Sequence, residues 1–173
     1  YETMFRAFEL TDDKDRVIRA VRIMAEKTGI YGMLGGQSVD VENDGKPLEK
    51  DLLDYIYEHK TSALIEASMM VGAALAGASE AEIKVIEDSA RDIGLAFQIR
   101  DDILDVTSTQ EVLGKPVLSD EKNHKTTYVT LYGMEKAEKD VVEMSNEALR
   151  LIEETGENEF LDELVRRLIH REK

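Results

Sequence analysis

A chain of 173 residues with 42% hydrophobic content is long enough for one domain with a sizeable core. Its formal charge of −15 argues against nucleic acid or an anionic membrane surface as partner, since both would repel it at long range. The absence of cysteine excludes disulfides and thiolate metal sites, and the longest uncharged stretch, Ala67 to Ser79, is too short for stable membrane insertion. Two prolines and an abundance of Ala, Leu, Glu and Lys predict an all-α chain. No signal peptide is visible, so the cytoplasm is the expected compartment.

Thr11, Asp12 and Asp13 mark a helix start, after which Val17, Ile18, Val21, Met24 and Ala25 recur at helical spacing. Gly29, Gly32 and Gly36 follow at spacings of three and four. Either the helix continues with one bare face that another element can approach closely, or it ends at Gly35-Gly36. Asn43 to Pro47 is a loop by composition. The next helix carries Leu53, Ile56, Lys60 and Leu64 within about 60° of one another, so a lysine interrupts an apolar stripe. Lys60 either snorkels to solvent or points its ammonium at a bound anion. Ser68, Gly72, Ala73, Ala76 and Gly77 continue that helix as a small-residue face suited to close packing.

Ser79-Glu80 opens a long helix that runs to about Val106. Residues 107–125 are polar and turn-forming and contain three lysines, which fits a solvated loop or a flap closing over a phosphate. Two amphipathic helices, about 134–154 and 158–171, complete the chain, and their alternating charges predict solvent-facing structure.

The chemistry concentrates at the end of the long helix. With Ile83 as origin, Ala90, Gly94, Phe97, Asp101 and Asp105 fall within about 40° of one direction at roughly 100° per residue. The core-facing stripe thus runs into two aspartates, with Gln98 beside them and Asp102 on the flank. Buried carboxylates without a counter-charge would be protonated or strongly destabilising. A divalent cation resolves this, and hard oxygen donors at i, i+1 and i+4 suit Mg2+, which takes one or two carboxylates plus water and phosphate oxygens.

Five separated motifs now stand in order: Gly35-Gly36-Gln37 with Asp40; His59-Lys60-Thr61; Phe97-Gln98-x-x-Asp101-Asp102-x-x-Asp105; Gly114-Lys115; and Lys125-Thr126-Thr127-Tyr128. In this order and spacing the chain resembles the trans-polyprenyl diphosphate synthases, the bacterial farnesyl diphosphate synthase type above all. The resemblance implies the all-α isoprenoid synthase type I bundle around a central cavity. It implies a prenyltransferase that condenses isopentenyl diphosphate with an allylic diphosphate (dimethylallyl or geranyl), using up to three Mg2+ held by two aspartate-rich motifs. Asp101, Asp102 and Asp105 are then the second of those motifs and the metal ligands. Lys60, Lys125 and Lys115 contact the allylic diphosphate; Gln37, Thr61 and Gln98 line the allylic site; Phe97 borders the apolar tail. A homodimer is expected on the same ground.

The first aspartate-rich motif and the isopentenyl diphosphate residues are absent from these 173 residues. We therefore expect residues 1–173 to be the C-terminal part of a single synthase domain, lacking the N-terminal helices and inactive alone. Leu118 departs from the glycine that often precedes the Ser-Asp pair in this family. A class I terpene cyclase fits less well, because all three carboxylates are aspartate and the lysine loop is present. The alternative reading is a non-catalytic partner subunit or association module of a prenyl synthase.

Overall fold

The computed structural model describes residues 2–108, 125–169 and 171. Among the described residues every regular element is helical. Helix α1 (Glu2–Leu10) buries no residue and was not anticipated from the sequence. Helix α2 (Lys14–Thr28) starts where expected, because the Asp13 carboxylate accepts from the Arg16 N–H and satisfies one of the free donors of the first turn. Its buried face is Val17, Ala20 and Ile23, whereas Ile18 is exposed. The expected stripe through Ile18, Val21 and Ala25 is thus rotated, since packing on helix α5 selects the smaller Ala20 for the contact.

The helix neither runs on unbroken nor ends at Gly35-Gly36, but the close approach expected at a bare glycine face does occur, at Gly36. Helix α2 stops at Gly29, and a separate helix, α3 (Met33–Glu42), begins four residues later. Helix α4 (Lys50–Ile56), a π-helical turn (Tyr57–Ser62) and α5 (Ala63–Ala76) then follow without a break in helical backbone. The π turn inserts an extra residue into the helical register, and such turns recur at functional sites. Gly77 ends α5 with φ of 91°, a left-handed conformation that suits glycine.

Helix α6 (Glu80–Thr107) is the axis of the bundle, begun by a reciprocal capping box between Ser79 and Glu82. It packs against α5, the π turn and α8 (Met134–Thr155), which follows the short α7 (Tyr128–Tyr132). Helix α9 (Glu159–Ile169) closes the far side through Val165, packed with Ile93, Leu149 and Ile152. Charge also crosses the core: Lys27 donates to Glu66, which is 3% exposed, and to Glu87 at 2.6 Å, tying α2, α5 and α6 together. Removing Lys27 would leave the buried Glu66 carboxylate uncompensated, whereas Glu87 keeps Lys84.

Helix α6 approaches the π turn closely at Gly94, where an added Cβ would lie 2.4 Å from the Ser62 hydroxyl oxygen and 2.5 Å from the Ser62 Cα. Gly94→Ala should therefore lower stability by about 1–3 kcal/mol through overpacking. Gly72→Ala, in the interior of α5 with nothing within 4 Å of the new Cβ, should raise it by about 0.5–1 kcal/mol. Urea unfolding of the two variants provides the check; equal effects would contradict the packing account.

Candidate active site at the π-helical turn

The π turn is clamped from two sides. A Cβ on Gly36 would lie 2.4 Å from the Lys60 backbone nitrogen, so α3 presses on the turn as Gly94 of α6 does from the other side. That approach aims Lys60 at α3: its ammonium donates to Asp40 Oδ2 at 2.5 Å, and Lys125 lies 3.5 Å from Oδ1 of the same carboxylate. Burial raises the Asp40 pKa, but the two ammoniums outweigh it and hold the carboxyl below its usual range. Lys60, left open between solvent and anion by its place on the helix, is instead paired and about one-third exposed. Beside it the Thr61 hydroxyl donates to Gln98 Oε1 at 2.9 Å. Asp40, Lys60, Thr61, Gln98 and Lys125 line one small cavity, walled on its apolar side by Leu48, Leu53 and Ile56. Gln37 sits one turn before Asp40 on α3, half-buried.

The aspartates at the end of α6 divide. Asp102, expected on the flank, is buried at 4% exposure: Tyr57 donates to its Oδ2 at 2.5 Å and the Tyr128 N–H at 2.8 Å. Tyr128 in turn donates to Asp140 Oδ2 at 2.5 Å, which also binds Lys136. Burial, then the Asp140 carboxylate, push the Tyr128 phenol up, so it stays a donor. Asp102 Oδ2 thereby joins α6 to the π turn and α7. Asp105 is equally buried, while Asp101 is partly exposed and accepts from Arg171. Among the described residues no three carboxylates converge as a ready metal cage. The donor chemistry nevertheless fits a hard cation at Asp101, whose carboxylate oxygen already holds a guanidinium.

Phe97 lines a crevice with Ile93, Ala96, Val165 and Leu168 on the α9 side and is covered by Arg171, away from the Lys60 cavity. Lys115 and Leu118 lie outside the described residues. Arg171, expected to face solvent, has a side chain only 16% exposed. The site also includes Tyr57 and Tyr128. Tyr128 closes the Lys125-Thr126-Thr127 motif; Tyr57 carried no signal beyond its place one turn before Lys60.

This sequence and its all-helical bundle have known counterparts. The sequence matches the polyprenyl synthetase family over residues 3–168. It is 39% identical over 166 residues to farnesyl diphosphate synthase of Escherichia coli (strain K12), covering 93% of this chain and 55% of that one. With geranylgeranyl pyrophosphate synthase, chloroplastic, of Capsicum annuum it shares 40% over 139 residues, 80% of this chain and 38% of the relative. A solved geranyltransferase of Helicobacter pylori, complexed with magnesium and isoprenyl diphosphate, superposes with a TM-score of 0.74 at 30% identity over 91% of this chain and 52% of that one. An FPP/GFPP synthase of Zymomonas mobilis gives 0.76 at 27% identity over 91% and 52%. The fold is that of the isoprenoid synthase helical-bundle prenyltransferases. The chain belongs to the polyprenyl synthetase family and spans about half the length of the relatives it matches.

Two carboxylates should give opposite pH signatures. Asp40, with its folded pKa depressed, contributes stability that is complete above about pH 4 and lost as pH falls through the folded value. Asp92 of α6 is pushed up to about 6, by burial first and then by Glu147 and Asp88 against the opposing Arg91. Its ionisation thus costs stability as pH rises from about 4 through 6. Asp92→Asn should raise Tm at pH 8 and leave it unchanged at pH 3.5. Asp40→Asn should lower Tm at pH 8 and converge with the parent near pH 2. Thermal melts across this range test both.

Proposed function

We propose that this chain supplies the diphosphate-ionising side of a trans-prenyltransferase site, with Asp101 and Asp105 as Mg2+ ligands and Lys60, Lys125 and Lys115 as diphosphate contacts. The observation that supports it most is the convergence of Lys60, Thr61, Gln98 and Lys125 on one cavity, from residues spread across the π turn, α6 and the segment before α7. Mg2+, when bound, would neutralise charge on the leaving diphosphate as a Lewis acid. Up to three ions are expected once a second aspartate-rich motif faces this one.

The residues of the chain do the rest. Lys60 and Lys125, now held by Asp40, are positioned to transfer their donors to diphosphate oxygens. The allylic C–O bond breaks with its electron pair leaving on the diphosphate. The alkene of isopentenyl diphosphate then forms the new C–C bond, and a proton leaves the adjacent carbon. Gln98 and Thr61 line the allylic end, with Gln37 assigned to the same end from its place one turn before Asp40, and the apolar wall of Leu48, Leu53 and Ile56 keeps water from the cation. Phe97 serves the apolar face of α6. Asp102 acts as a positioning residue through Tyr57 and Tyr128.

A farnesyl product is our reading, supported by the identity to farnesyl diphosphate synthases, although relatives of similar identity are named for geranylgeranyl products. Operation as a cytoplasmic homodimer belongs to the same proposal, and no described helix is long and apolar enough to cross a membrane. The alternative, a partner subunit, draws support from a relative named the large subunit of a heterodimeric geranylgeranyl pyrophosphate synthase in Arabidopsis thaliana.

Calorimetry with a non-ionisable thiolo analogue of geranyl diphosphate tests the site directly. Binding should require Mg2+ and weaken by an order of magnitude or more in Lys60→Ala and Asp101→Ala, with Glu135→Ala unchanged. Binding independent of Mg2+, or equal losses in all three variants, would sink the assignment. Incubated with geranyl and isopentenyl diphosphates, the 173-residue chain alone should give no product.

A further inference from the structure

The end of the chain returns to the first aspartate of the motif. Arg171 lies two residues beyond α9, and its guanidinium covers the Phe97 ring with Cζ 3.7 Å from the centroid. Its Nη2 donates to the Phe97 carbonyl at 2.9 Å and to Asp101 Oδ1. The Arg171 carbonyl accepts from Arg100 Nε at 3.4 Å and Nη2 at 3.2 Å. Phe97, Arg100 and Asp101 stand at i, i+3 and i+4 on α6, so one helical face offers a ring, a donor pair and a carboxylate to a single residue. The fit is incomplete at one atom: Arg171 Nε is buried without a partner among the described residues.

We propose that Arg171 is an internal counter-cation that holds Asp101 in the metal-free state and competes with the divalent ion for it. The inference rests on the reading of Asp101 as a metal ligand. A guanidinium on Asp101 removes the cost of a half-buried, unpaired carboxylate. A dication at the same carboxylate would stand only a few ångströms from the guanidinium, and that repulsion weakens the hold of each on Asp101. At saturating metal, mass action moves Asp101 to the dication. Metal affinity is accordingly lower than the carboxylates alone would give, by the fraction of chains in which Asp101 is free. Binding of metal and release of Asp101 by Arg171 are one event.

Mn2+ titration followed by the EPR signal of the free ion, on Arg171→Gln, Arg171→Lys and Asp101→Asn, separates the possibilities. Arg171→Gln, neutral but still able to donate, should tighten Mn2+ binding about tenfold, and Arg171→Lys should stay near the parent. Asp101→Asn should weaken binding at least tenfold. If Asp101→Asn weakens binding and Arg171→Gln does not tighten it, the metal site stands and the counter-cation role falls. If Asp101→Asn leaves binding unchanged, the metal reading fails and takes this role with it. A readout without the Gln variant is the 15N NMR signal of Arg171 Nε–H, assigned by its loss in Arg171→Lys. It should be protected without metal and exchange rapidly at saturating Mg2+; protection that persists at saturation would overturn the proposal.

Discussion

The contact on which the site depends is the approach of α3 and α6 to the π turn through two missing side chains. Gly36 and Gly94 each lie so near the turn that a methyl group would collide with backbone atoms of Lys60 or Ser62. The turn shifts the register of a helix that would otherwise carry His59, Lys60 and Thr61 in another direction. With both glycines in place, Lys60 reaches Asp40 on α3 and Thr61 reaches Gln98 on α6. Three elements distant in sequence thereby form one cavity, and a shift of even a few tenths of an ångström at either contact would be felt at the cations.

Around this clamp, charge is held in reserve. In a chain of net charge −15, the cations that matter are each placed on a carboxylate: Lys60 and Lys125 on Asp40, Arg171 on Asp101, Lys27 on Glu66 and Glu87. The first two sets are partly exposed, and on the proposed reading a diphosphate would replace Asp40 on the lysines and a divalent cation would replace Arg171 on Asp101. The Lys27 set crosses the core of α2, α5 and α6 and has a structural task. The same electrostatic pairing thus serves both the fold and the site, and burial decides which.

Asp102 illustrates why adjacent residues of one motif take different roles. It lies about 100° around the helix from Asp101, which turns it toward the π turn and α7. There a phenol and a backbone N–H satisfy it, and Tyr128 extends the chain of hydrogen bonds to Asp140 and Lys136. The motif therefore includes a strut beside its candidate ligands.

The all-α class and the starts of α2 and α6 at their caps were legible in the sequence, because caps and 3.6-residue periodicity are local properties of the chain, whereas the stripe expected through Phe97 and Asp101 is turned so that Asp102 is the buried neighbour. The lysines and glutamine of the candidate site were legible only through resemblance to a family, since nothing local distinguishes Lys60 from a snorkelling surface lysine. The rotation of α2, the break at Gly29, the π turn and the pairing of Asp101 with Arg171 were decided by tertiary structure. Each depends on which distant surface a residue meets: a helix wheel gives the direction of a side chain, but the partner 70 residues away that neutralises Asp101 is brought there only by the packing of α9 on α6.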